Sequence, residues 1–204
     1  RDRTTSFFRD RFYFPGMVKF VQNSVKCCDR CIRTRAPNLP ARAPLQNIVS
    51  TQPMELVCVD FLGLETSKGG YDSIMVVTDH FTKFAQAYPT KNQTAVTTAR
   101  ILFDDFFVHY GFPRYILSDQ GRNFESNIVK QLCALTGVKK IRTSPYHPMS
   151  NGITERMNRT LLTMLRTLSG HSKSDWKSFV PKLVHAYNSS RHDTTKFSPF
   201  YPMF

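Results

Sequence analysis

Two neighbouring segments decide how this chain is read: Ser118-Asp119-Gln120-Gly121-Arg122-Asn123-Phe124, and then Ser144-Pro145-Tyr146-His147-Pro148-Met149-Ser150-Asn151-Gly152-Ile153-Thr154-Glu155-Arg156-Met157-Asn158-Arg159. They bring two acids, Asp119 and Glu155, into turn and helix settings. Upstream, a third acid, Asp60, ends the apolar run Leu56-Val57-Cys58-Val59. Three carboxylates so placed suit divalent cations, because Mg²⁺ prefers a few carboxylate oxygens plus substrate phosphate. A pair of such ions can clamp the attacking and leaving oxygens of an in-line displacement. The expectation is phosphoryl transfer on a polynucleotide.

Each acid alone also has a plain reading. Asp60 can be a strand-terminating residue in a turn, since a buried unpaired carboxylate otherwise costs several kcal/mol or gives up its charge. Ser118-Asp119-Gln120-Gly121 is good turn chemistry. Glu155 sits near the start of a helix, where a negative charge is favourable. Its position on that helix says more. Ile153, Met157, Leu161, Met164, Leu165 and Leu168 make an apolar stripe, and at about 100° per residue Glu155 points away from it. Asn158 and Arg159, at i+3 and i+4, share its side. An acid flanked by an amide and a guanidinium suits a metal site beside a phosphate backbone. Arg159 can equally be a solvated partner of Glu155.

The surrounding pattern is α/β. Leu56–Phe61, Ser73–Thr78 and Phe84–Tyr88 read as strands, with Lys68-Gly69-Gly70 turning between the first two. A helix over 94–110 puts Ala95, Ala99, Leu102, Phe103, Phe106 and Tyr110 on one stripe, stopped by Gly111 and Pro113. Tyr115-Ile116-Leu117 is a short strand that delivers Asp119. A helix over 125–136 carries Ile128, Val129, Leu132, Cys133 and Leu135, and Lys139–Thr143 is a last strand. Helices over about 152–168 and 174–190 follow, the second interrupted or kinked at Pro181. The order predicts a mixed five-stranded sheet flanked by helices. Asp79, Asp104, Asp105 and Glu125 read as turn or helix-surface acids, and Trp176 as core.

Upstream, residues 4–13 predict a short helix ended by Phe14-Pro15-Gly16. A second helix follows, with Met17, Phe20, Val21, Val25 and Cys28 at helical spacing. It runs into Cys28-Asp29-Arg30-Cys31, half of a tetrahedral zinc site or a plain core cysteine. Residues 36–50, with Pro37, Pro40 and Pro44, read as an extended linker. The organisation expected is a small helical segment at 1–35, the linker at 36–50 and the main domain at 51–204.

The net charge is +13, and the first fifty residues hold ten basic side chains against three acidic ones. A field that positive favours polyanions, nucleic acid above all. No apolar run is long enough to span a bilayer, so no membrane partner is expected. Five cysteines with no export signal argue for a reducing compartment and against a disulfide framework.

The motifs together resemble the integrases of Gypsy-class LTR retrotransposons and, more distantly, of retroviruses. The resemblance rests on Val59-Asp60-Phe61-Leu62-Gly63, Val77-Thr78-Asp79-His80-Phe81-Thr82-Lys83, Leu117-Ser118-Asp119-Gln120-Gly121, Tyr146-His147-Pro148 and Asn151-Gly152-Ile153-Thr154-Glu155-Arg156-Met157-Asn158. Tyr187-Asn188 and the tail from Thr194 to Phe200 look like the end of the same core. The resemblance implies an RNase H-like fold with Asp60, Asp119 and Glu155 as catalytic ligands of two Mg²⁺ or Mn²⁺ ions. It implies 3′-end processing of the element's double-stranded DNA and then strand transfer into a target. DNA contacts are implied for Arg122, Asn123, Tyr146, His147, Asn158 and Arg159. At least a homodimer and a nuclear workplace are implied too.

Three departures from the family pattern qualify this. Cys28 and Cys31 match the family's zinc-binding pair, but the two histidines belong upstream of Arg1, so Zn²⁺ is expected only where those ligands are present. Met149 and Ile153 stand where relatives carry Gln. The chain also ends before the family's C-terminal module, which reads as a fragment or one exon of a domesticated element. Two alternatives to the transferase therefore stand: a catalytically idle, host-adopted DNA-binding or protein-interaction module, and an RNase H-type nuclease on the same fold.

Overall fold

The structure is a computed structural model describing residues 2–29, 49–142 and 152–204. It divides into two compact units, Arg1–Leu45 and Gln46–Phe204. In the first, α1 (Asp2–Arg9) and α2 (Met17–Lys26) touch each other across a turn at Pro15-Gly16, where Gly16 takes the left-handed φ of 78°. Met17 and Val21 are buried as the apolar spacing predicts, whereas Phe20 is exposed and lies edge-on to Phe14. Two short helices have too little interior for every aromatic in the stripe. Of the proline-rich linker, residues 36–48 lie outside the described residues.

The second unit is built on a five-stranded sheet in the order β3-β2-β1-β4-β5. β1 (Leu56–Ser67) pairs antiparallel with β2 (Tyr71–Asp79), and β2 with β3 (Ala85–Thr90). On its other side β1 runs parallel to β4 (Tyr115–Ser118), and β4 to β5 (Lys139–Arg142). Antiparallel neighbours need only tight turns, whereas each parallel step needs a crossover, and helices supply it. The first is α3 (95–110), capped by the Thr94 hydroxyl, which accepts from the Thr97 N–H. Its middle, Ile101–Phe107, is π-helical. The second is α4 (Asn127–Thr136), capped by Ser126 and closed by Gly137 at φ 72°.

Strand periodicity sends alternate residues to opposite faces. Val57, Val59, Met75 and Val77 meet Ile101, Leu102, Phe106, Val129 and Cys133 under α3 and α4. Ile74, Val76 and Ala87 meet Met157, Leu161, Leu165, Trp176 and Val184 on the other face. That second layer is α5 (Gly152–Arg166) and α7 (Val180–Ser189), joined by the short α6 (His171–Ser174) and a 3₁₀ turn at Trp176–Ser178. A last short helix, α8 (Phe200–Met203), places Phe200 against Phe84.

Several details differ from the expectations. The helix expected over 174–190 is three pieces, and Pro181 lies in the first turn of α7 instead of kinking its interior. A proline has no N–H to lose there. Trp176 is buried in the break, its indole N–H donating to the Glu65 carbonyl at 2.8 Å. Leu135, Ile128 and Phe103 are exposed despite their places in apolar stripes. The two helices cover only one face of a narrow sheet, so part of each stripe overhangs it. Asp79 is not a surface acid: it is buried, and its carboxylate accepts from the Met54 N–H and from both the N–H and the hydroxyl of Thr82.

Candidate active site

Asp60 does not end its strand. β1 continues past it, with Asp60 opposite Val76 of β2. On the β4 side, pairing stops at Cys58 with Leu117. Asp60 therefore lies where one edge of β1 is already released, and the next residues of β4 lead out through Ser118 to Asp119. A crevice outside the carboxyl ends of adjacent parallel strands is where α/β sheets offer their ligand sites. Its parity places Asp60 on the α5 face, while its neighbour Phe61 turns to the other face and packs against Phe124, the rings tilted and their centroids 5.6 Å apart. That ring contact ties the segment following Asp119 to β1.

Asp60 is half-buried. One oxygen, Oδ1, accepts from the Phe61 N–H at 2.8 Å, and Oδ2 accepts from the Asn158 amide at 3.0 Å. Burial pushes its carboxyl up to about 6, and the negative charges of Asp119 and Glu155 push in the same direction against those two hydrogen bonds. Asp119 is exposed and folds back on its own loop, Oδ1 accepting from the Gly121 N–H at 3.0 Å. The loop is tight there: a Cβ on Gly121 would stand 2.6 Å from Asn123 Oδ1 and 3.0 Å from Asp119 Oδ1. Glycine is what lets the backbone approach both side chains.

Glu155 is exposed in the first turn of α5. The three acids share one electrostatic neighbourhood without converging: among the described residues no three His, Cys, Asp or Glu side chains stand close enough to hold a metal ion. Asn158 turns to Asp60, and its Oδ1 is buried without a partner, as is Nδ2 of Asn123. A carboxyl pushed towards protonation by burial and then by two neighbouring carboxylates, beside an orphaned amide oxygen, is a donor set of hard oxygens lacking positive charge. In chemistry it fits a divalent cation of the Mg²⁺ type.

The remaining sequence candidates divide. Arg122 is exposed on the loop after Asp119. Arg159 lines a cleft with Lys83 and Tyr187. Tyr146, His147 and Cys31 lie outside the described residues, and Cys28 is half-buried just after α2. Three features escaped sequence reasoning. Asn188 is buried and bridges the start of β3, its amide exchanging both hydrogen bonds with the backbone of Ala85 at 3.0 and 2.8 Å. Its signal was an amide in register with the apolar positions Val180 and Val184. Asp79 was signalled by Thr82 three residues on. The cleft around Lys83 had no local signal, since three distant segments build it.

A mixed sheet in this order, with helices on both faces and acids at the carboxyl ends of its central parallel strands, defines an RNase H-like α/β core. Residues 50–148 match the family described as integrase core domain, and residues 136–195 match a second profile with the same description. Residues 1–37 match the integrase zinc binding domain. The two integrase core domain matches together span residues 50–195. Among curated relatives, the Transposon Tf2-3 and Tf2-4 polyproteins of Schizosaccharomyces pombe (strain 972 / ATCC 24843) are each 30% identical over 198 residues. The alignment takes in 96% of this chain and 15% of each polyprotein, so the chain spans about one-seventh of those relatives.

The fold is shared with a simian T-cell lymphotropic virus intasome in complex with the PP2A regulatory subunit B56 gamma. The TM-score is 0.69 at 18% identity, over 98% of this chain and 70% of that one. It is shared also with the HTLV-2 integrase catalytic core domain in complex with magnesium, in a trimeric form. There the TM-score is 0.60 at 16% identity, over 75% of this chain and 98% of that one.

Proposed function

We propose that this chain is a Gypsy-class integrase: a polynucleotidyl transferase that uses divalent metal to trim the 3′ ends of an element's DNA and join them to a target strand. The observation that carries this reading is Asp60, a carboxylate held inside the sheet beside Asp119 and Glu155 with no cationic side chain at ion-pair distance among the described residues. The buried Asp79, by contrast, is satisfied by three donors from Met54 and Thr82. Glu125, by comparison, sits among Lys130, Lys140 and Arg142.

When bound, two Mg²⁺ or Mn²⁺ ions would supply a nucleophile deprotonated at neutral pH and a counter-charge for the leaving oxygen. Asp60, Asp119 and Glu155 would hold them. Asn158 orients the Asp60 carboxylate through Oδ2, and the Gly121 N–H orients Asp119. The Phe61–Phe124 contact keeps the Asp119 loop on the sheet. The displacement would be direct, with no covalent enzyme intermediate, because the metals and not a side-chain base would activate the nucleophile. Double-stranded DNA is the partner, and Arg122, Asn123, Tyr146, His147, Asn158 and Arg159 are the residues that would meet it. A homodimer or larger assembly brings two ends together, and the work is nuclear. The first unit takes Zn²⁺ through Cys28 and Cys31 where upstream histidines complete the tetrahedron.

The test is strand transfer, with its reverse joining reaction in parallel, on a labelled oligonucleotide duplex with Mn²⁺. The natural chain should give joined products, and Asp119→Asn should give none. Silence from a folded, DNA-bound natural chain would replace this reading with the idle binding module.

A further inference from the structure

A cleft of about 560 Å³ opens between α5, the turn joining β2 to β3 and the segment that follows α7. Such a volume suits a small molecule, for which about 300–1,000 Å³ is usual. An amine, Lys83, lines it together with the guanidinium groups of Arg156, Arg159 and Arg191. None of these cations has a carboxylate at ion-pair distance among the described residues. Asp193 also lies on the wall and offsets part of their charge, while Met157 and the ring of Tyr187 add apolar surface.

Lys83 is held here unlike a surface lysine. Its backbone takes a left-handed φ of 67°, which a lysine keeps only where its surroundings dictate it. Those surroundings are specific. The Lys83 N–H donates to the Asp79 carbonyl at 3.1 Å, and the Tyr187 hydroxyl donates to the Lys83 carbonyl at 3.2 Å. The buried Asp79 carboxylate braces the same turn through the N–H and hydroxyl of Thr82. Nζ itself donates to the His80 carbonyl, so the amine has a set position instead of ranging through solvent. Burial, and then the Arg156 guanidinium, lower its pKa against the opposing charge of Asp79. A lysine whose neutral form is favoured by desolvation or by a second cation becomes a nucleophile towards carbonyl carbon.

We propose that Lys83 captures a small phosphorylated aldehyde in this cleft as an imine. The guanidinium groups bind the phosphate, whose charge and paired oxygens match their forked donors. Arg191 is already oriented for this, its Nε donating to the Lys196 carbonyl at 2.9 Å. A ligand fixed by its phosphate meets an amine fixed by the turn, so the addition gains the advantage of an intramolecular reaction. Neutral Nζ adds to the carbonyl carbon to give a carbinolamine. The oxygen then leaves as water with the two amine hydrogens, and a C=N bond replaces the C=O bond. No oxidant or reductant is consumed, and addition of water returns the free lysine and the aldehyde. None of Asp60, Asp119 and Glu155 takes part, so the site stands apart from strand transfer and does not rest on it.

The test treats the full chain with pyridoxal 5′-phosphate, fixes any imine with sodium borohydride and locates the resulting secondary amine by peptide mass spectrometry. Lys83 should be labelled at probe concentrations that leave the exposed Lys173 and Lys182 unlabelled. Pyridoxal, which lacks the phosphate, should need about tenfold more for the same labelling of Lys83. Arg191 is exposed, so its replacement leaves the core intact. Arg191→Gln should raise the concentration of pyridoxal 5′-phosphate needed by about tenfold and leave that of pyridoxal unchanged. The visible absorbance of the imine at low probe concentration should disappear in Lys83→Arg. Label spread evenly over the exposed lysines would mean general amine reactivity and overturn the inference. Equal labelling of Lys83 by pyridoxal and its phosphate, an unchanged requirement in Arg191→Gln, or imine absorbance that survives in Lys83→Arg would overturn it as well.

Discussion

Asp60 is the acid whose surroundings oppose its charge. Its carboxyl is raised from 3.8 to about 6, first by burial and then by Asp119 and Glu155. A group with a raised folded pKa contributes stability that is complete below its unfolded pKa and is lost as pH rises through the folded one. The metal-free protein should therefore lose stability between about pH 4 and pH 6 on this account. Asp60→Asn removes the charge and leaves an amide oxygen for Asn158. In chelator at pH 7.5 it should raise Tm by about 2–4 °C, for on the order of 1 kcal/mol once solvent screening is discounted. The gain should vanish at pH 4. Thermal melts at both pH values check this, and a destabilised variant at pH 7.5 would contradict it.

At the scale of elements, α5 and α7 divide the labour. α5 turns Met157, Leu161 and Leu165 into the sheet, which leaves Glu155 exposed in its first turn. α7 secures the antiparallel edge through Asn188. Its amide satisfies both the N–H and the carbonyl of Ala85, groups that sit at the first residue of β3. Asn188→Ala leaves both buried and unpaired, at about 1–3 kcal/mol each. It should cost about 2–4 kcal/mol in denaturant melts and detach β3 from α7, which amide exchange at Ala85 would report. Asn188→Asp should lose most of the same stability, because a carboxylate cannot donate to the Ala85 carbonyl.

For the whole molecule, three carboxylates stand in a chain of net charge +13. Long-range attraction to nucleic acid thus comes from the surface, while the acids are reserved for cations. A ligand that binds only the folded state stabilises it by RT ln(1 + [L]/Kd), about 2.7 kcal/mol at a hundredfold excess over Kd. Mn²⁺ at saturating concentration should raise the Tm of the natural chain by several degrees. Asp119→Asn should lose most of that rise, and Asp119→Asn/Glu155→Gln all of it. An identical rise in the double variant would place the metal elsewhere.

How much was legible follows from what each feature depends on. The five strands, the helices between them and the three acids are local patterns: period-2 and period-3.6 apolar spacing, Gly111 and Gly137 as stops, turn chemistry at Asp119. A sequence carries such patterns whole, because backbone sterics and side-chain direction act over a few residues. Local pattern failed wherever several segments had to meet. It placed Asp60 at a strand end, because the continued pairing with β2 is a property of two strands. It put Phe103, Ile128 and Leu135 inside, because periodicity names a face and not the width of the sheet beneath it. It gave no hint that Lys83 and Tyr187 close a cleft beside Arg159, because segments far apart in sequence build it. The composition of this chain determined its fold class and the chemistry of its acids. Their shared electrostatic burden, the buried roles of Asp79 and Asn188 and the cationic cleft were decided only by tertiary contact, since burial and charge coupling depend on distances in space and not along the chain.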